Sequence, residues 1–180
     1  MIDYKKLSKL QLDALKEVGN IGAAHAATAL SQILNRTIMI NISQFEIIPV
    51  SDVSKVVGGM EKQAVAIKVQ ILGDVVGAIL LVFTREDALS FVDILKARAP
   101  GATRMLDELD ESTLKESGSI LSASYLQAIG GFLKLSLISS RPGLLCGKMG
   151  NILESVFNEL NRRAEVAFCI ETEFVETKSQ

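Results

Sequence analysis

Tryptophan is absent from this chain of 180 residues, histidine occurs once, proline three times, and aromatic residues make up only 5%. A core short of large rings has to be assembled from Leu, Ile, Val and Ala, and 48% hydrophobic residues suffice for a sizeable one. No basic run occurs and the net charge is −2, which argues against nucleic acid as the main partner. No apolar stretch, VVGAILLVF included, is long enough to span a bilayer. The two cysteines, Cys146 and Cys169, lie far apart with no metal-ligand spacing, and are expected to be reduced and buried. The opening MIDYKKLSKL has no apolar signal core, so a cytoplasmic protein without membrane or nucleic-acid partners is expected. The glycosylation tripeptides NRT and NIS are then coincidences.

What the chain does have is an unusual helix. In DALKEVGNIGAAHAATALS, taken at about 100° per residue, Asp13, Glu17 and Asn20 fall within an arc of about 60°, continued by Ala24, Thr28 and Ser31. Leu15, Gly19, Gly22, Ala26 and Ala29 occupy the opposite side. One face thus carries a carboxylate and a carboxamide a turn apart, and the other is small and smooth. Each internal glycine costs roughly 1 kcal/mol against alanine, so close approach of another backbone is expected there.

Residues 5–34 read as one long helix capped at Ser8 or Asp13. A strand follows, closed by Pro49, then a turn at Gly58-Gly59. AVAIKVQI and VVGAILLVF form a hairpin about Gly73-Asp74, and Thr84 caps the helix REDALSFVDILKAR. From about Asp107 a second long helix runs to Gly130-Gly131. LKLSLISS is a strand stopped by Arg141-Pro142-Gly143, MGNILESVFNELN is an amphipathic helix, and AEVAFCIETEFV is a strand. Met60, Met105 and Met149 read as core filler, and His25 as a structural side chain.

Asp13–Ala24 laid over Ser112–Ala123 matches at an offset of 99 (112 − 13): Leu15/Leu114, Lys16/Lys115, Glu17/Glu116, Gly19/Gly118, Ile21/Ile120 and Ala24/Ala123 are identical. This is a duplicated α-β-β-β-α unit with repeats at about 5–100 and 105–176 in a single domain of residues 1–180. An α+β, sandwich-like fold is expected, with two long helices related by a pseudo-twofold axis over a common, mainly antiparallel sheet. The second unit lacks a closing hairpin partner and helix. In it Asp13 is replaced by Ser112 and Asn20 by Ser119, so the acid Glu116 remains without an amide.

An Asp or Ser, three residues, Glu, two residues, Asn, continued by NIGAA and repeated about a hundred residues on, resembles the CheC/CheX/FliY phosphatases of bacterial and archaeal chemotaxis. The two-helix arrangement is most similar to the CheC-like branch, and the likeness covers nearly the whole chain. The family pattern adds a proline about 23 residues after the Asn; that place holds Ser43 in the first unit, whereas Pro142 stands there in the second.

The resemblance implies hydrolysis of the aspartyl phosphate of the response regulator CheY. Glu17 and Asn20 would be the catalytic pair: Asn20 orients the attacking water and Glu17 docks the partner's active-site lysine. Asp13 would be a rim contact for docking, and Ser112, Glu116 and Ser119 a second, degenerate site. A loose phosphoryl-transfer transition state asks mainly for positioning, which an amide supplies through its oxygen and NH₂. The chain would need no metal or cofactor of its own, Mg²⁺ being supplied by CheY. Two other readings stand beside this one. The chain could act as a binding module for the receptor deamidase CheD with weak or no phosphatase activity, or as a flagellar switch component. A solvated helix face is the ordinary meaning of polar residues at helical spacing.

Overall fold

The computed structural model describes residues 7–160 and 165–177. Residues 5 and 6 of the expected first helix, Asn161 of the amphipathic helix, Ala164 of the last strand and the final three residues of the chain lie outside them.

Helix α1 (Lys9–Leu34) starts at Ser8, whose hydroxyl accepts from the Gln11 N–H while the Gln11 side chain accepts from the Ser8 N–H. Two donors that the helix itself leaves unpaired are thereby satisfied. The helix stops at Asn35, in the left-handed conformation at φ 50°. Helix α4 (Glu108–Leu133) is built the same way, with Asp107 and Asp110 as the reciprocal cap and Lys134 left-handed at φ 59°. Start and stop of α4 are those of α1 displaced by 99 residues (107 − 8 and 134 − 35). The duplication therefore reaches the caps, where residues of different type do the same physical job.

Strand β1 (Thr37–Pro49) leads through a 3₁₀ turn (Val50–Asp52) and a short helix α2 (Val53–Val56) into the hairpin β2 (Gln63–Gly73) and β3 (Gly77–Thr84), then α3 (Arg85–Leu95). Thr84 caps α3 by accepting from the Asp87 N–H. After α4 come β4 (Leu137–Ser139), β5 (Gly143–Lys148), α5 (Met149–Glu159) and β6 (Val166–Thr177).

The pairing runs crosswise between the two repeats. β1 of the first lies antiparallel to β6 of the second, while β4 and β5 of the second lie antiparallel to β2 of the first. This exchange is what a twofold relation between repeats produces. The ladder is irregular at corresponding places: β1 slips register between Ile42 and Gln44, at Ser43, and the second copy breaks into β4 and β5 around Pro142. Proline brings no N–H to a ladder, so a bulge in one repeat becomes a gap in the other. The expected stop at Arg141-Pro142-Gly143 is thus only an interruption, and GLLCGK continues the pairing as β5 along β2.

One expectation needs correction. The helices do not lie on a common sheet: the strands form a two-stranded sheet, β1–β6, and a four-stranded one centred on β2. Side chains rather than a ladder join the two. Ile38 of β1, Val65 and Ile67 of β2, Ala26 and Leu30 of α1, Leu114 and Leu121 of α4, and Phe91 and Val92 of α3 make one buried cluster. β2 is covered on its other face too, where Ala64 and Ala66 meet Met149, Ile152 and Leu153 of α5. Mixed helices and antiparallel sheet follow, as expected.

The glycines mark where backbones come close. A Cβ on Gly118 would stand 2.5 Å from Cγ2 of Ile67, so α4 rests directly on β2. A Cβ on Gly22 would meet Tyr125 at 2.7 Å, at the crossing of α1 and α4. Gly19 is different: its nearest neighbours, Ile170, Phe45 and Ile42, are 3.7–3.8 Å from such a Cβ, which is ordinary contact.

At the start of α4, the buried Asp110 carboxylate takes hydrogen bonds from Lys96 at 2.7 Å and sits 3.0 Å from the Arg98 guanidinium. Burial opposes its ionisation, but Lys96, the backbone of Asp107 and the charge of Arg98 outweigh it and hold the carboxyl below its ordinary range. On the far side of β2, Lys68 and Gln70 hold the Glu159 carboxyl low in the same sense.

Several small expectations fall. Cys146 is exposed and Cys169 half-buried, because their strands bind on one edge or one face only. Met149 is core, but Met105 is 78% exposed and Met60, at 49%, lies against Gly150 at the surface rather than in the core. His25 lies on the solvent side of α1.

Candidate functional site

The two faces of α1 separate as its periodicity predicts. Gly19, Gly22 and Ala26 are buried, and Leu15 and Ala29 are half-buried. Opposite them Asp13, Glu17, Asn20, Ala24 and Thr28 are all exposed. Packing against β1 and α4 fixes the rod from behind, so its polar side is held rigid while remaining open to solvent.

On that side the Asn20 amide donates to a Glu17 carboxylate oxygen at 3.4 Å. The bond is long and weak, but it brings acid and amide together and leaves the amide oxygen free to accept. Asp13 stands one turn before Glu17. Thr28 turns its hydroxyl onto the Ala24 carbonyl at 2.9 Å and offers its donor to no ligand. Ser31 leaves the stripe altogether. It donates to Ala27, accepts from the Ile38 N–H at 2.9 Å, and so ties α1 to β1.

The corresponding residues on α4 are arranged differently. Ser112 and Glu116 are exposed, but Ser119 is half-buried, and its neighbour Ile120 packs against the cluster to which α3 contributes Ala88, Phe91, Val92 and Leu95. The acid survives on an open surface; the place of the amide is taken by a short hydroxyl that is partly covered. Periodicity alone gives no sign of this. Leu10 and Ile21 share the arc of Glu17 and are 80% and 41% exposed. A search for polar residues misses them, although their helical angle marks them.

Among the described residues no helix is long and apolar enough to cross a membrane. Nor do three or more His, Cys, Asp or Glu side chains gather there as a metal site would need. A recess of about 630 Å³ between the Pro49–Ser54 turn and α5, lined by Val50, Met60, Leu153 and Phe157, contains none of the residues of the α1 face.

The model of the CheC-like family matches residues 10–41, the stretch that carries this face and the start of β1. The CheY-P phosphatase CheC of Bacillus subtilis (strain 168) is 28% identical over 179 residues, covering 98% of this chain and 86% of that protein. Both findings are likenesses to CheC-like proteins, one confined to the first long helix and the start of β1, the other running along nearly the whole chain. The flagellar motor switch phosphatase FliY of the same organism is 33% identical over 112 residues, which are 62% of this chain and 29% of FliY. Among solved structures, Thermotoga maritima FliY superposes with a TM-score of 0.77 at 21% identity, covering 97% of this chain and 87% of that one. The FliM middle domain from H. pylori superposes at 0.66 with 12% identity, covering 94% and 87%. These likenesses establish a shared fold. Two of the relatives are named as phosphatases, CheC and FliY of B. subtilis.

Proposed function

We propose that this chain hydrolyses the aspartyl phosphate of a phosphorylated CheY-type receiver, using the open face of α1. The observation that carries the reading is the pairing of Glu17 and Asn20, adjacent and exposed on a helix whose other side is locked in the core. The name of the B. subtilis relative supplies the substrate class.

The reaction requires water in line with the leaving carboxylate and little assistance from a strong base. Asn20 accepts a hydrogen bond from that water through its amide oxygen, and its NH₂ can turn from Glu17 to a phosphoryl oxygen. Glu17 is a poor neighbour for a phosphoryl group but a good one for a lysine ammonium, so its role is to dock the receiver's active-site lysine. That contact draws the acid off the amide and fixes where Asn20 enters. Asp13 contacts the rim of the partner. The Mg²⁺ is the receiver's own. Ser112, Glu116 and Ser119 form a weaker face that docks at most, since a half-buried hydroxyl reaches less far than an amide.

The experiment is acyl-phosphate decay on purified phosphorylated CheY with catalytic amounts of the chain. Decay accelerates, and Asn20→Ala lowers the accelerated rate by about 100-fold, the scale of losing one positioning group. Equal rates for the two proteins would refute the assignment of Asn20.

A further inference from the structure

The exposed face of α1 is not purely polar. Leu10 is 80% exposed and Ile21 41% exposed. By helical angle they lie about 20° and 40° from Glu17, and along the axis about 10 Å before it and about 6 Å after it. Single exposed apolar residues are ordinary. These two are set apart by position, since along the axis they bracket the acid–amide pair, on the side of the arc where Glu17 lies.

The repeat provides a second, independent observation. At the place of Leu10, α4 carries Leu109, which is 65% exposed. The polar residues of the two faces have diverged, Asp13 to Ser112 and Asn20 to Ser119, yet both helices present a bare leucine one turn before that first polar position. Neither leucine is buried by the fold, so packing within the chain gives no reason for it.

We infer that Leu10 and Ile21 are apolar anchors that seat a phosphorylated receiver domain on α1, setting affinity while Glu17 and Asn20 set the chemistry. The inference rests on the proposed phosphatase reading and adds to it the surface that selects the partner. Charge chooses the same occupant. Between the anchors the arc carries the acids Asp13 and Glu17, with the exposed Lys16 about 40° beyond Asn20 at its far edge, so the side shared with Leu10 and Ile21 is acidic and suits a protein that presents an ammonium beside its phosphoryl group. A helix face with apolar contacts flanking a charged centre follows the usual division of an interface, in which a few desolvated side chains carry the affinity.

The test is calorimetric binding of a CheY-type receiver held in its activated form by beryllofluoride, a probe that needs no turnover. Leu10→Ser and Ile21→Ser each weaken Kd by about tenfold, the worth of burying much of one such side chain. Leu10→Met keeps most of the affinity. In the decay assay the two serine variants raise KM and leave kcat within about twofold; Leu10→Ser keeps the Tm of the unmutated chain, while Ile21→Ser, at a position more than half covered, lowers it by a few degrees and is assayed well below that Tm. Asn20→Ala shows the reverse pattern: lost turnover, retained affinity. Binding by the unmutated chain with Kd unchanged in both serine variants overturns the anchors alone. Binding without hydrolysis overturns the phosphatase reading and leaves the anchors to be judged by Kd. Failure of the activated receiver to bind at all overturns both.

Discussion

Glu17 and Glu116 occupy the same position on two helices of equal length with equivalent caps, and both are exposed. Three residues further on the helices part: Asn20 stands in solvent and Ser119 is half-buried. The first repeat closes with β3 and α3, α3 lies against α4, and Ile120 packs on the core cluster to which both helices contribute. Ile21, the counterpart of Ile120 on α1, is 41% exposed. Duplication copied the rod, its caps and its acid. The amide, and the clearance around it, belong to one copy only. A surface that receives another protein needs both, which is the reason for proposing α1 rather than α4 as the working face.

The same comparison sets stability predictions, the largest first. Gly118→Ala brings a methyl to within 2.5 Å of Ile67 Cγ2 in the centre of the core. Overpacking costs about 1–3 kcal/mol, read as a fall in Tm of about 2–4 °C for each kcal/mol in a chain of this size. An unchanged Tm would mean that α4 does not rest on β2 as described.

A smaller effect comes with acid. A hydrogen bond from Thr103 holds Asp93 low, the Lys96 and Arg98 cations overcome burial at Asp110, and Lys68 holds Glu159 low. Groups whose folded pKa is depressed contribute stability above their unfolded values and lose it as pH falls through the folded ones. Stability therefore declines below about pH 4, near the ordinary carboxyl values. Asp110→Asn is less stable at neutral pH and flattens that decline in a denaturant series run from pH 7 downward. An equally steep decline would remove Asp110 from the account.

The smallest effect has the opposite sign. Gly19, the counterpart of Gly118, has only ordinary contacts at 3.7–3.8 Å around the place a methyl would take. Gly19→Ala gains helix propensity of up to about 1 kcal/mol and raises Tm by a few degrees. Two glycines at one position in two repeats then respond in opposite directions, because one is a contact point and the other is not.

Much of this was legible in the sequence. Helix ends are set by local chemistry, so Ser8 and Thr84 could be identified as caps, and a repeat with six identities in twelve positions exposed the duplication. The inward face of α1 followed from spacing. β5 did not, because Pro142 falls inside the strand pair and GLLCGK is too short to alternate clearly. The separation of the two sheets was hidden for a related reason: strand patterns show which residues are apolar, not which ladder they join. The half-burial of Ser119 and Ile120 depends on how α4 packs in the assembled fold, which is tertiary information. The exposure of Cys146 is likewise decided by its edge position on β5.

The most direct measurement compares Asn20→Ala with Ser119→Ala in the phospho-CheY decay assay, at equal protein concentrations and with matched Tm. Asn20→Ala is expected to lose about 100-fold in rate, and Ser119→Ala to stay within about twofold of the unmutated chain. Equal losses at both positions, or loss only at Ser119, would contradict the claim that one helix alone carries the reaction.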